Sequence, residues 1–195
     1  MKRIFAIICL VLIFTTACSE EKKEFQILAK NVTETTGWQS AHPGWQVSNG
    51  VYEGTNTGSN IPTETIWLAG ENWTSYEVNA DVQLGNDYEP SDAQLIFRYQ
   101  NPQSYGACRL WQYKGVYLEL LDTTKGVLIQ KSFPAEIETW YRLNATIHGD
   151  YATCEVIGYS TMRISGKYGG ATNGTVGLRN THIEARFRDV LVRLD

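Results

Sequence analysis

Histidine is nearly missing from this chain, with three in 195 residues, at His42, His148 and His182, scattered over turns and strand ends. No Ser, His and Asp form a local motif, and no His/Cys spacing matches a zinc site, so triad and zinc chemistry have no signature here. Positive charge is short as well: 17 Lys+Arg face 21 Asp+Glu, a net charge of −4. A surface of that sign has no sequence-independent attraction for nucleic acid, which rests on basic side chains displacing counterions. Helical periodicity is absent from Phe25 onward, because no window repeats apolar residues at three-and-four spacing over several turns. The chain also lacks an internal repeat and a second composition regime, which argues for one domain.

The one sustained apolar run, Ile4 to Phe14, follows Met1-Lys2-Arg3 and precedes Thr15-Thr16-Ala17-Cys18. A basic start, about 11 apolar residues and a small residue before the cut describe a secretory signal over residues 1–17. The run is too short to span a bilayer as a helix. Cys18 after Thr-Ala resembles a bacterial lipobox, with Thr15 where the usual pattern has Leu. That resemblance implies lipidation of Cys18 and a membrane-anchored envelope lipoprotein facing the periplasm or the cell surface. Ordinary cleavage, with Cys18 a bystander thiol, is the alternative. Residues 18–24 read as the lipidated cysteine and a solvated tether, and residues 25–195 as a single domain. Removing 17 of 195 residues leaves 178, lowers Lys+Arg from 17 to 15 against 21 acids, and brings the charge to −6. Cys108 and Cys154 then remain, and an oxidising compartment leaves a disulfide between them open.

What is present is a succession of short alternating runs cut by Gly, Asn and Asp, the mark of an all-β sandwich or barrel. Phe25 to Ala29 reads as an edge strand, and Thr36-Gly37-Trp38 and Pro43-Gly44 as breaks. Trp45 to Glu53 reads as a hairpin turned at Asn49-Gly50. Gly54 to Asn60 is loop by composition, and Thr65 to Leu68 a short strand. Tyr76 to Leu84 places Tyr76, Val78, Ala80, Val82 and Leu84 on one face and Glu77, Asn79, Asp81 and Gln83 on the other, as a half-buried antiparallel strand does. Asn86 to Asp92 reads as a polar loop. Gly126 to Phe133 is a strand ended by Pro134. Trp140 to Gly158 is a hairpin turned at Gly149-Asp150, pairing His148 with Tyr151, Ala145 with Cys154 and Leu143 with Val156. Gly174 to Leu178 and Ile183 to Leu194 close the chain. One two-sheet antiparallel sandwich is the simplest fit.

The stretch Ala93 to Asp122 organises the rest. It reads as three strands joined by two turns, and alternation sorts their side chains into two faces. Leu95, Phe97 and Tyr99, then Cys108 and Leu110, then Leu118 and Leu120 point inward. Arg98, Tyr105, Arg109, Trp111, Tyr117 and Glu119 collect outside. Aromatic rings offer flat apolar faces to a sugar's C–H bonds, and Arg and Glu fork hydrogen bonds to vicinal hydroxyls. These six are the candidate ligand-binding set. Trp38, Trp45, Trp67, Trp73 and Trp140 lie beside turns or at strand ends, where core or rim packing is expected.

The order NGVYEG, ENWTSYEVNADV, LIFRYQNPQSYGACRL, YLELL, TWYRLNATIHG and GTVGLRN…ARFRDVLV resembles concanavalin A-like jelly-roll domains of secreted bacterial proteins. It is similar to the laminin-G-like group and to 3-keto-disaccharide hydrolase and family 16 glycoside hydrolase-like domains. The resemblance covers about Trp45 to Leu194. It implies a jelly-roll sandwich with a concave sheet facing carbohydrate, on or near which Arg98 and the Tyr105…Arg109 strand would lie. A structural calcium is also an implication, since related sandwiches often bind one, and Glu53 and Asp189 are the acids to examine.

Catalysis by paired carboxylates finds little support. The Glu-x-Asp-x-x-Glu pattern of family 16 enzymes is not found. Glu77 and Asp81 share a face, but four residues at ~3.3 Å set their Cα atoms roughly 13 Å apart. Glu136 and Glu138 follow Pro134 in a connection. The expectation is therefore an exported lipoprotein whose jelly-roll domain binds carbohydrate without catalysis and meets the membrane only through its anchor. The alternatives are a glycoside-processing hydrolase of the 3-keto-disaccharide type and a structural envelope protein contacting other proteins.

Overall fold

A computed structural model describes residues 26–27, 38–40, 45–54, 63–68, 72–85, 90–181 and 184–194. The signal segment 1–17, Cys18 with the tether 18–24, His42 and His182 lie outside the described residues, as does the expected loop at 55–60. The described strands are β1 (Gln26–Ile27), β2 (Trp38–Ser40), β3 (Trp45–Ser48), β4 (Val51–Gly54), β5 (Thr63–Leu68), β6 (Tyr76–Leu84), β7 (Ser91–Asn101) and β8 (Ser104–Gln112). They continue with β9 (Val116–Asp122), β10 (Gly126–Phe133), β11 (Tyr141–His148), β12 (Tyr151–Val156), β13 (Arg163–Lys167), β14 (Thr175–Thr181) and β15 (Ala185–Leu194). They form two antiparallel sheets. One runs β13-β12-β11-β6-β15-β4-β3 with β1 against β15, and the other runs β10-β9-β8-β7-β14-β5-β2. The protein is an all-β, two-sheet jelly-roll sandwich.

Turn chemistry sets the register where it is strongest. Asn49 and Gly50 both take positive φ, 51° and 83°, as a two-residue turn of the primed type requires, and Ser48 faces Val51 across it. At the second hairpin Gly149 takes φ 56°, and the pairs His148–Tyr151, Ala145–Cys154 and Leu143–Val156 form as the pattern predicts. Burial then selects the face. Tyr76, Val78, Ala80, Val82 and Leu84 of β6 join Leu95, Phe97, Cys108, Leu110, Leu118, Leu120, Leu143, Ala145 and Cys154 in one core between the sheets. Trp38 belongs to that core, and Trp45 and Trp73 pack against it.

The outer face of the first sheet is a ladder of charge pairs. Glu77 meets Arg193, Asp81 meets Arg142 and Arg188, and Glu53 meets Arg186. Each acid of the Glu77/Asp81 pair is therefore engaged by arginine.

Two strands, β2 and β13, appear where no strand was expected, and β7 begins at Ser91, so Asp92 is a strand residue rather than the end of a loop. A larger correction concerns Arg98. It takes φ 50° inside β7, where the register against β8 shifts between Phe97 and Asn101, so the strand bulges there. The bulge is held from several sides. The Arg98 amide donates to the Tyr76 hydroxyl at 2.8 Å, and its guanidinium donates to the carbonyls of Thr74 (2.9 Å), Ala171 (3.3 Å) and Gly149. Alternation resets beyond it. Tyr99 joins the outer face, against the inward expectation, and stacks on Tyr105 with centroids 6.1 Å apart.

Gly174 seats this bulge. Its φ is 145°, and a Cβ there would run into the backbone of Arg98 and Tyr99, which cannot swing aside as a side chain can. Gly126 also has positive φ, 85°, but a Cβ there would meet open space. Gly174→Ala is expected to cost at least about 2 kcal/mol of stability, and Gly126→Ala roughly 1 kcal/mol. Urea denaturation of the two variants checks this, and equal losses would show that the bulge does not depend on Gly174.

Candidate functional site

The outer face of the second sheet is built in rows across its strands. Register places Gln130, Glu119, Arg109, Gln94 and Arg179 side by side on β10, β9, β8, β7 and β14. Next to this row run Ser132, Tyr117, Trp111, Asp92 and Thr181. On the other side a small apolar cluster of Ile96, Tyr99, Tyr105 and Ala107 packs with Leu121. The face thus grades from aromatic and aliphatic to polar and charged, with one aromatic pair, Trp111 opposite Tyr117, in its outermost row.

Arg109 is the hub. Its Nε and Nη2 donate to Glu119 Oε2 at 2.6 Å, and its Nη1 donates to Asp92 Oδ2 at 3.2 Å. The guanidinium lies 4.7 Å from the centre of the Trp111 ring, within cation–π range. Gln130 donates to the other Glu119 oxygen at 2.6 Å, and Gln94 donates to Asp92 Oδ2 at 2.8 Å and to the Thr181 hydroxyl at 3.4 Å. Arg179 donates to the Tyr105 hydroxyl. Asp92 and Glu119 expose 0% and 1% of their surface, so this is a buried network on what would ordinarily be a wet face.

Burial has electrostatic consequences. Loss of hydration pushes the Asp92 carboxyl above its ordinary value, against the pull of Arg109 and the Gln94 amide. The same cause pushes the Tyr105 phenol up, opposed by Arg179. Three atoms of the network, Asp92 Oδ1, Gln94 Oε1 and Arg179 Nε, are buried without a hydrogen-bond partner. Groups left so are costly, and they are acceptors and a donor of the kind a hydroxyl satisfies.

Of the six residues picked out by alternation, Tyr105, Arg109, Trp111, Tyr117 and Glu119 are brought together. Arg98 is not among them, because the bulge turns it to the end of the sandwich, under the 470 Å³ depression that it lines with Lys167 and Tyr168. Tyr105 faces outward yet is only 1% exposed, held beneath Arg179 and Tyr99. Asp92, Gln94, Gln130 and Arg179 join the face without having been picked out. The signal for Asp92 and Gln94 was the same period of two, extended one pair back from Ile96.

The acids considered for calcium do not converge. Glu53 is bound by Arg186, with its Oε1 accepting at 3.2 Å, while Asp189 sits exposed in a second bulge at φ 50°. Among the described residues no group of three or more His, Cys, Asp and Glu is placed to hold a metal ion. Cys108 and Cys154 are both buried, and no bond joins them in this structure.

No family model and no curated protein matches the sequence. Solved structures do match. A carbohydrate binding module, CBM66 from Bacillus subtilis, superposes with a TM-score of 0.66 at 15% identity, covering 80% of this chain and 95% of that one. A Bacillus subtilis protein of unknown function with a galectin-like fold gives 0.64 at 14% identity, over 88% and 98%. A proposed glycosyl hydrolase from Parabacteroides distasonis gives 0.60 at 16%, over 83% and 90%. At these identities the likeness is one of fold, the jelly-roll sandwich.

Two outcomes are expected of the network. Arg109→Ala leaves two carboxylates buried and unpaired and is expected to cost roughly 3–5 kcal/mol in chemical denaturation. A loss near zero would mean that the acids find other partners. Asp92 supplies a pH signature. Its folded-state pKa is raised, so its contribution is fully present below the ordinary carboxylate range and is lost as pH rises through the raised value. Thermal melts of the wild type and Asp92→Asn between about pH 4 and pH 7 should therefore diverge, with wild type gaining on the variant as pH falls. Parallel curves would show that Asp92 is ionised in the folded protein throughout.

Proposed function

We propose that the chain is a carbohydrate-binding protein that recognises its glycan on the outer face of the second sheet without catalysing a reaction. We further propose that it is exported and anchored through Cys18 as an envelope lipoprotein. The observation that carries the binding reading is the continuous row of hydrogen-bonding side chains across five strands, edged by the Trp111–Tyr117 pair. A glycan resting on those aromatics would set its hydroxyls along the row of Arg109, Gln94, Gln130 and Arg179, whose positions are already fixed by bonds to Glu119, Asp92, Thr181 and Tyr105. Fixing them beforehand lowers the ordering cost of binding. The structural likeness to a carbohydrate binding module agrees with this reading at the level of fold.

A second reading, a glycoside-processing hydrolase, draws on one feature. Asp92 and Glu119 both touch one guanidinium, which keeps them within about 8 Å of each other, a bound that admits the carboxylate separations of both retaining and inverting enzymes. The space between them, however, holds Arg109 itself, where a sugar and an attacking water would have to sit. That occupancy favours binding over turnover.

The test is an oligosaccharide and polysaccharide panel on the full chain, scoring binding and release of reducing sugar in the same wells. Binding without release is expected, weakened about 10-fold or more by Trp111→Ala and by Tyr117→Ala. Those two side chains are partly exposed and carry no buried charge, so the variants should keep the fold. Release of sugar would move the hydrolase reading ahead, and a folded chain that binds nothing on the panel would end the carbohydrate reading.

A further inference from the structure

Cys108 and Cys154 come from opposite sheets and meet in the middle of the sandwich. Cys108 lies on β8, paired to Leu120 of β9, and Cys154 lies on β12, paired to Ala145 of β11. Neither exposes any surface. Each thiol reaches across the gap to a backbone carbonyl beside the other's strand partner. Cys108 Sγ donates to Asn144 O at 3.6 Å, and Cys154 Sγ donates to Glu119 O at 3.6 Å. The crossed pattern turns the two thiols toward each other across the gap between the sheets. Cα atoms of β8 and β12 come within 8 Å of each other, closer than the ~10 Å usual between packed sheets, and Ala145, the strand partner of Cys154, is small.

We propose that Cys108 and Cys154 form a disulfide that staples the two sheets together, made while the chain folds and sealed when the sandwich closes. The inference is independent of what the outer face binds. A buried thiol in apolar surroundings is a poor nucleophile once folded, and burial together with the neighbouring Cys108 thiol pushes the Cys154 thiol up. Oxidation therefore belongs to the open chain. One cysteine thiolate attacks a disulfide donor, forming a mixed disulfide and releasing one donor thiolate. The second cysteine thiolate then displaces the donor's other sulfur, so that two cysteine thiols are oxidised, one donor disulfide is reduced to two thiols, and the protons pass to solvent and donor. The loop so closed spans roughly 45 residues, long enough for cross-linking to restrict the unfolded chain substantially.

The full-length chain carrying Cys9→Ser and Cys18→Ser retains only these two thiols. Unfolded, reduced and refolded with oxidised glutathione, it should be about 2 Da lighter than when refolded with reductant, and should give a peptide pair joined through Cys108 and Cys154. After denaturation it should resist alkylation. It should also melt roughly 10 °C higher than the reduced form. A further variant with both cysteines changed to Ala should melt alike under the two refolding conditions. Two alkylatable thiols, or glutathione on each, after oxidative refolding to the folded state would overturn the proposal. So would a linked form that melts no higher than the reduced one.

Discussion

The alternate side chains of two antiparallel sheets are sealed against each other, and everything else in this protein is arranged around that seal. Apolar burial is worth roughly 25 cal/mol per Å², so a strand that offers five consecutive inward positions, as β6 does from Tyr76 to Leu84, has no competitive alternative register. The commitment has a functional corollary. Once Leu95, Cys108, Leu110, Leu118 and Leu120 are spent on the core, their neighbours must occupy the outer face of the second sheet. Whatever this face contacts can then meet only those neighbours and the loops, and the neighbours fall in transverse rows across the strands.

The Arg98 bulge is the exception that alternation alone does not produce, and it shapes that face. Without it Tyr99 would enter the core and Arg98 would stand in the outer row. With it Tyr99 stacks on Tyr105, and the Arg98 guanidinium ties together three segments that precede β6, turn β11 into β12 and precede β14. Those carbonyl bonds stabilise a backbone conformation that costs on the order of 1–3 kcal/mol for a residue with a side chain. The result is an aromatic and aliphatic floor beside the polar row rather than a third arginine within it.

What could be read from sequence follows the range of the interactions involved. Both hairpins and their registers were legible because Asn49-Gly50 and Gly149-Asp150 act locally and fix what flanks them. Five of the six outer-face residues were legible because period two is a local property. Arg98 was not, since its conformation is decided by Tyr76, Thr74, Gly149 and Ala171, between 22 and 73 residues away. Asp92 was hidden by its own chemistry. A polar residue after Pro90 and Ser91 looks like loop, and only Arg109 and Gln94 make it acceptable within a strand. Arg179 was lost at a boundary, the last strand residues being polar. The inward direction of both cysteines was legible, but their meeting depends on how the sheets stack.

The two outer faces offer a control within one molecule. Both carry carboxylates paired with arginines, so ion pairs alone do not distinguish a binding face from a sheet surface. On the first sheet the acids stay wet: Asp81, Glu77 and Glu53 keep 20%, 16% and 28% of their side-chain surface in solvent. Pairs of that kind contribute little and are common on solvated sheets. On the second sheet Asp92 and Glu119 keep 0% and 2%. Removing two carboxylates and a guanidinium from water costs several kcal/mol per ion, and hydrophobic residues of similar volume would serve stability as well or better. Stability therefore does not explain the network. Under the carbohydrate-binding proposal the network instead holds Arg109 and its neighbouring amides in place beneath an aromatic-edged face, which lowers the ordering cost of binding.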